Sequence, residues 1–272
     1  MLKSLSMSTE ITLKDLLEAG CHFGHQSRRW HPKMAEYLFG VKDSVHIFDL
    51  AKTKTKLEEA VEFARKVASE GGIIIFVGCK RQAAAVIKEE AKNAGMPYVN
   101  SRWLGGTMTN WDQIKRRLDK MKTDKEKLAS GEYAEKYTKK ENLLIGREVI
   151  KLEKFLGGLA TLKGIPDALV VVDIKAEEVA VKEAIKLGIP VIAIVDSNSN
   201  PETVSYPVPA NDDSVGSIKY LISIIASAIK DGKDAWERKN QTVANETNKT
   251  TEVKKSVSKV AKKLVKKIKA KK

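Results

Sequence analysis

Residues 18–34, EAGCHFGHQSRRWHPKM, crowd His22, His25 and His31 together with Arg28, Arg29, Trp30 and Lys33 into one short loop. Basic groups interleaved with an aromatic suit RNA, because guanidinium forks bind phosphate bidentately and an indole stacks on a base or sugar. The bland alternative is that Trp30 and the histidines cap the core near a sheet end. A metal is a further reading, since cysteine and histidine are competent zinc ligands. The spacing of Cys21, His22 and His25 is not that of a zinc finger, and no second Cys/His pair follows. Any cation would have to draw on carboxylates such as Asp196, Asp212 or Asp213, so His22, His25 and those three aspartates stand as candidates with no metal committed.

A second cluster, VGCKRQAAAVIKEE, ends an apolar run at Gly78 and opens a helix near Lys80. An anion at that helix N-terminus would be helped by Lys80 and Arg81. Neither G-x-G-x-x-G nor G-x-x-x-x-G-K-[ST] is present, so a nucleotide would lack its phosphate cradle. Cys79 is the best nucleophile candidate, but no adjacent base and orienting third group accompany it.

The third cluster, NSRWLGGTMTNWDQIKRR, combines Arg102, Trp103 and Trp111 with Lys115, Arg116 and Arg117. It reads as another RNA-facing surface. Gly105 and Gly106 allow either close backbone approach to a ligand or tight packing, and Thr109 or Asn110 can cap the helix that follows. Trp103 and Leu104 could equally anchor that helix to the body.

These clusters need elements to hold them. VHIFDL, a helix over Lys52 to Ser69, GIIIFVG, a helix over Arg81 to Asn93 and PYVN alternate as a parallel sheet requires. The pattern resumes with ALVVVD, a helix over Ala176 to Leu187, PVIAIVD, the short SYPVPA and a helix over Asp213 to Asp231. Continuously apolar runs imply strands covered on both faces. The expected fold is therefore α/β, a three-layer α/β/α sandwich with a mainly parallel, flavodoxin- or Rossmann-like sheet.

Between its halves, residues 105–158 are charged and lack any strand-like run. Ile114, Leu118, Met121 and Leu128, with Ile145, Val149, Leu152 and Leu156, follow the seam spacing of an inserted antiparallel coiled-coil α-hairpin. Lys125 falls in that seam, and Ser130, Gly131 and Tyr133 supply the turn. The organisation expected is an N-terminal extension over 1–7, a sandwich over 8–104 and 159–240, the hairpin over 105–158 and a Lys-rich disordered tail over 241–272.

The net charge of +14 lies mostly in that tail, which carries 11 lysines against Glu246 and Glu252 and can bury little apolar surface. Val257, Val260, Leu264 and Ile268 could align on a basic amphipathic helix against an anionic surface, RNA sooner than lipid; a solvated tail that folds nowhere is the alternative. No apolar run approaches the length of a membrane-spanning helix, and MLKSLSM lacks the features of a secretory leader. Cys21 and Cys79 are expected as free thiols in a reducing cytosol.

At these clusters the chain resembles the bacterial small-subunit ribosomal protein S-two family. LLEAGCHFGHQSRRWHPKM, HIFDLAKT, FVGCKRQA, SRWLGGTMTNW, GIPDALVVVD, GIPVIAIVDSNSNP and PVPANDDS carry the resemblance, which runs from Ser8 to Lys239. It implies a parallel sandwich with a coiled-coil hairpin and a structural role without catalysis or cofactor. The protein would sit in the cytoplasmic ribosome, contact small-subunit ribosomal RNA and neighbouring proteins, and help hold ribosomal protein S-one. It would use no membrane and no small-molecule substrate. Carried over by motif, the basic loop is Arg28, Arg29, Trp30 and Lys33, and the linker is Arg102, Trp103, Gly105 and Gly106. The N-terminal extension and the long basic tail depart from the family pattern. Rival readings are a free RNA-binding regulator and a cytosolic α/β enzyme acting on a phosphorylated substrate.

Overall fold

A computed structural model describes residues 11–240. The expected extension over 1–7 and the Lys-rich tail over 241–272 lie outside the described residues. The body begins at α1 (Leu13–Glu18), where the Thr12 side chain accepts from the Asp15 N–H as an N-cap. Three short strands follow, β1 (Phe23–Gln26), β2 (Leu38–Lys42) and β3 (Val45–Phe48). They pair antiparallel in the order β1-β3-β2. This corrects the sequence reading, which made the run at Val45 the first strand of the parallel sheet. Both pairings slip register, between Phe23 and Gln26 and between Leu38 and Gly40. That irregularity blurs the period-two pattern by which such strands are recognised.

Asp49 caps α2 (Leu50–Ser69), and the chain then enters β4 (Ile74–Val77), α3 (Ala84–Ala94) and β5 (Tyr98–Val99). The helix expected from Arg81 starts only at Ala84, because Lys80 to Ala83 form a turn that aims Lys80 at carboxylates. Next come α4 (Trp111–Ala129), the short α5 (Glu132–Lys136) and α6 (Lys139–Leu156), the last begun by a capping box between Thr138 and Glu141. The chain closes with β6 (Ala168–Val172), α7 (Glu178–Leu187), β7 (Val191–Val195), β8 (Tyr206–Pro209) and α8, helical over 215–240.

The five later strands form an all-parallel sheet in the order β5-β4-β6-β7-β8. Strand residues alternate between its faces. Ile74, Phe76, Val170 and Ile192 meet α2, α3 and α8, whose inward residues include Leu57, Ala60, Ile87, Leu221 and Ile225. Ile75, Val77, Leu169 and Ala193 meet Ala180 and Ala184 of α7 and Ile114, Leu118 and Met121 of α4. Small residues on α2 let it lie close, and the buried Thr53 hydroxyl ties it to β8 by donating to the Pro209 carbonyl at 2.7 Å. Burying both faces of β4, β6 and β7 explains why none of them alternates.

In the helical insertion Ile114, Leu118, Met121, Val149 and Leu156 are buried as the spacing implies. The inward position near the tip is Asp124 and not Lys125, as a 3.6-residue period drifts past a seven-residue repeat. Asp124 accepts from the Tyr133 hydroxyl at 2.8 Å, and Lys125 points outward to Glu153 at 2.5 Å. At the root, Gly158 lies so close to β5 that a Cβ there would collide with the Tyr98 carbonyl oxygen.

β4 connects outward to β5, whereas β6, on its other side, connects to β7. Their carboxyl ends therefore diverge at a switch point, the position where open α/β sheets gather functional groups.

Candidate nucleic-acid interface

That edge holds the Lys80 turn. The Lys80 ammonium sits 2.7 Å from Asp212, 2.5 Å from Asp213 and 3.4 Å from Asp173. Burial alone would lower its pKa, but the bonds to Asp212 and Asp213 outweigh it and hold it above the ordinary range. Lys80 is therefore tied to the protein's own acids. Burial, reinforced by the charges of Asp196 and Asp173, pushes the Asp212 carboxyl up to about 7 against the pull of Lys80.

His25 bridges this cluster to the N-terminal loop, with Nδ1 2.9 Å from Asp196 and Nε2 3.5 Å from Asp213. The Asp196 bond raises its pKa. Ser197 completes the joint: its hydroxyl accepts from the His25 N–H at 2.8 Å, and its carbonyl accepts from the His31 N–H at 2.7 Å. Among the described residues, His25, Asp212 and Asp213 place ligand-type atoms within 4.8 Å of one another, a set that could hold a cation. Lys80 already supplies positive charge to both aspartates. His22 stays apart from this set, its ring against Phe23 and its pKa lowered by burial. Burial, with Glu177 beside it, raises the Cys79 thiol pKa, the opposite of the activation a nucleophile needs.

The glycine-rich linker proves to be a cradle for an internal anion. Glu183, buried on α7, accepts from the N–H groups of Gly106 at 2.7 Å, Met108 at 3.0 Å and Thr109 at 3.1 Å. It also accepts from the Thr109 hydroxyl and from Trp103 Nε1, both at 3.2 Å. Burial pushes this carboxyl up, yet the bonds from Met108, Thr109, Gly106 and Trp103 carry it below the usual range. Gly106 adopts a φ of 89°, which suits glycine. Trp103 is thus buried, with its indole N–H on Glu183, in the arrangement of an anchor. The sequence reading missed Glu183. Its one signal was a carboxylate on the inward phase of a helix whose neighbours there are Ala180 and Ala184.

What remains outward is cationic. Arg28, Arg29, Arg81, Arg102, Lys115, Arg116 and Arg117 are exposed, and among the described residues none has a carboxylate within salt-bridge reach. Trp30 keeps 39% of its surface exposed and stands 5.2 Å from the His46 ring. Lys33 is paired with Glu202, and Trp111 is half-buried against the core.

Residues 16–232 match the sequence profile of the family described as Ribosomal protein S2. The Small ribosomal subunit protein uS2 of Dictyoglomus thermophilum is 54% identical over 228 residues, covering 84% of this chain and 92% of that protein. The proteins of the same description from Fusobacterium nucleatum and Oenococcus oeni are each 49% identical, over 84% of this chain and 92% and 88% of theirs. Such matches reach across the sandwich, the linker and the helical insertion alike, so the chain belongs to the ribosomal protein S2 family and is a structural constituent of the small ribosomal subunit, a component of the translating cytoplasmic ribosome and not an enzyme.

Proposed function

We propose that the protein binds small-subunit ribosomal RNA through the outward basic residues of its N-terminal loop and of α4, and that it helps hold ribosomal protein S-one on the subunit. The observation that carries the RNA contact is the set of cations without a carboxylate partner among the described residues: Arg28, Arg29, Arg81, Arg102, Lys115, Arg116 and Arg117. Unpaired guanidinium and ammonium groups keep their full charge available to phosphate. The exposed Trp30 would stack on a base or sugar, while Lys80 and Trp103 act as scaffold. A protein neighbour such as S-one has an apolar surface to meet on the antiparallel sheet, where Phe39 is 81% exposed beside Val41 at 56%.

Sucrose-gradient sedimentation of cell extract at low and high salt tests the reading. Co-migration with small subunits, lost as salt rises, is expected. A peak at monomer size under both conditions would overturn it. Subunits carrying Arg28→Gln and Arg29→Gln, together with Phe39→Ser, should separate the two contacts: the arginine changes weaken RNA retention, and the Phe39 change lowers the S-one content.

A further inference from the structure

The root of the helical insertion carries a second basic site, apart from the outward arginines of the N-terminal loop and of α4. Where α6 returns to the sandwich, a cavity of about 450 Å³ opens between α3 and α6, walled by Lys88 and Lys92 of α3, Lys154 and Phe155 of α6, and Tyr98 and Asn100 at the end of β5. Lys88 and Lys92 are four residues apart, so they project from the same face of α3 about 6 Å apart along its axis. Both are exposed, as is Lys154. Among the described residues none of the three has a carboxylate partner. Lys154 lies only over the Phe155 ring, 5.8 Å from its centroid.

The acid in the lining, Glu153, is already bound to Lys125 at 2.5 Å. The groove therefore presents three uncompensated ammonium groups and no free carboxylate. Asn100 donates its amide to the Ala84 carbonyl at 3.2 Å, which fixes the side chain at the back of the groove. Tyr98 and Phe155, both half-buried, add aromatic side chains to the lining. Cations and aromatic side chains lining one groove are features by which proteins hold a nucleic-acid strand. An acidic peptide would find the charge but no donor or acceptor ladder to read its backbone.

We infer that the groove between α3 and α6 binds a segment of ribosomal RNA backbone, its phosphates on Lys88, Lys92 and Lys154 and a base or sugar against Tyr98 or Phe155. The site would join sandwich and insertion through one RNA strand. This inference rests on the RNA-binding role proposed above and extends it to a separate surface.

The test uses the full chain and a transcript of the small-subunit RNA, with affinity followed from low to high salt. Each neutralised phosphate adds about 0.7 to 0.9 to the slope of log affinity against log salt. In K88Q/K92Q/K154Q the slope should fall by about 2 to 3, and in K88R/K92R/K154R it should hold. All three positions are exposed, and an unchanged thermal midpoint verifies that both variants are folded. A wild-type slope that survives the glutamine changes overturns the groove proposal while leaving RNA binding elsewhere intact. Unchanged RNA affinity with lost incorporation into subunits assigns the groove to a protein neighbour, which also overturns it. Wild-type protein without salt-sensitive binding sinks the underlying RNA reading itself.

Discussion

The loops leaving the neighbouring strands β4 and β5 share a design and end differently. Each presents glycine and open backbone N–H groups at the carboxyl edge of the sheet, and each is closed by a carboxylate at or within α7. Cys79 donates its N–H to Glu177 at 2.7 Å, while Gly106, Met108 and Thr109 donate theirs to Glu183. In the first loop the adjoining cation, Lys80, turns inward onto three aspartates; in the second, Arg102 stays in solvent. A loop shaped for an anion is therefore poor evidence of an external anion, because the chain can supply its own. The informative cations are those with no internal acid to meet.

The largest effect expected from this contrast lies in the second loop. Glu183→Ala strands the Trp103 indole N–H and several backbone donors, and leaving buried donors unpaired should cost about 4 kcal/mol. Urea denaturation reads the loss; a value under about 1 kcal/mol would show that the cradle closes without the carboxylate. The Glu183 pKa is depressed in the folded state, so its contribution is full above the ordinary value of 4.5 and fades as pH falls through the lowered value. Glu183→Gln should lack that acid-side loss.

Lys80→Met comes next. It leaves Asp173, Asp212 and Asp213 without their cation, at a cost of about 3 kcal/mol by the rule for a broken, largely buried pair. Thermal unfolding measures it, and an unchanged midpoint would mean that the aspartates relax into solvent.

The first loop also has the opposite pH signature. Asp212 titrates near 7 when folded against an ordinary 3.8, and a raised pKa means stability is lost as pH climbs between those values. His25, raised by Asp196, adds loss above its ordinary 6.5. The unfolding free energy across this window, read from denaturation curves, should decline at no more than about 1.4 kcal/mol per pH unit for one group. Asp212→Asn should flatten the lower part, and a decline that persists unaltered would assign it elsewhere.

The smallest change in stability belongs to Arg102→Gln, within about 0.5 kcal/mol for an unpartnered surface residue. Its effect should appear in RNA binding, as a salt slope lowered by about 0.7 to 0.9. Destabilisation without a change of slope would place Arg102 with Lys80 as scaffold.

The ease of reading these parts from sequence follows their physics. Ile74 to Val77, Ala168 to Val172 and Val191 to Val195 declare themselves because strands covered on both faces must be apolar throughout. The antiparallel sheet was hidden because FGHQ and LFGVK are short and their register slips. The outward positions of Arg28, Arg29, Arg102 and Lys115 to Arg117 agree with the clusters, yet nothing in their types distinguishes them from Lys80. Which cation meets an acid depends on Asp212, 132 residues from Lys80 along the chain, and on Glu183, 80 residues from Trp103. Pairings at such separation carry no local periodicity.

The near-contact of Gly158 with the Tyr98 carbonyl also bears on how the insertion can change in length. One end of the helical arm is clamped where no side chain fits, while at the other end Gly131, with a φ of 79°, has no heavy atom near the position a Cβ would take. Residues added or removed in whole helical turns at the tip leave the clamp untouched, whereas a single insertion beside Gly158 rotates the whole arm away from the sheet edge. Segments grafted into this protein, whether by evolution or by an engineer fitting a reporter, belong at Ser130 and Gly131.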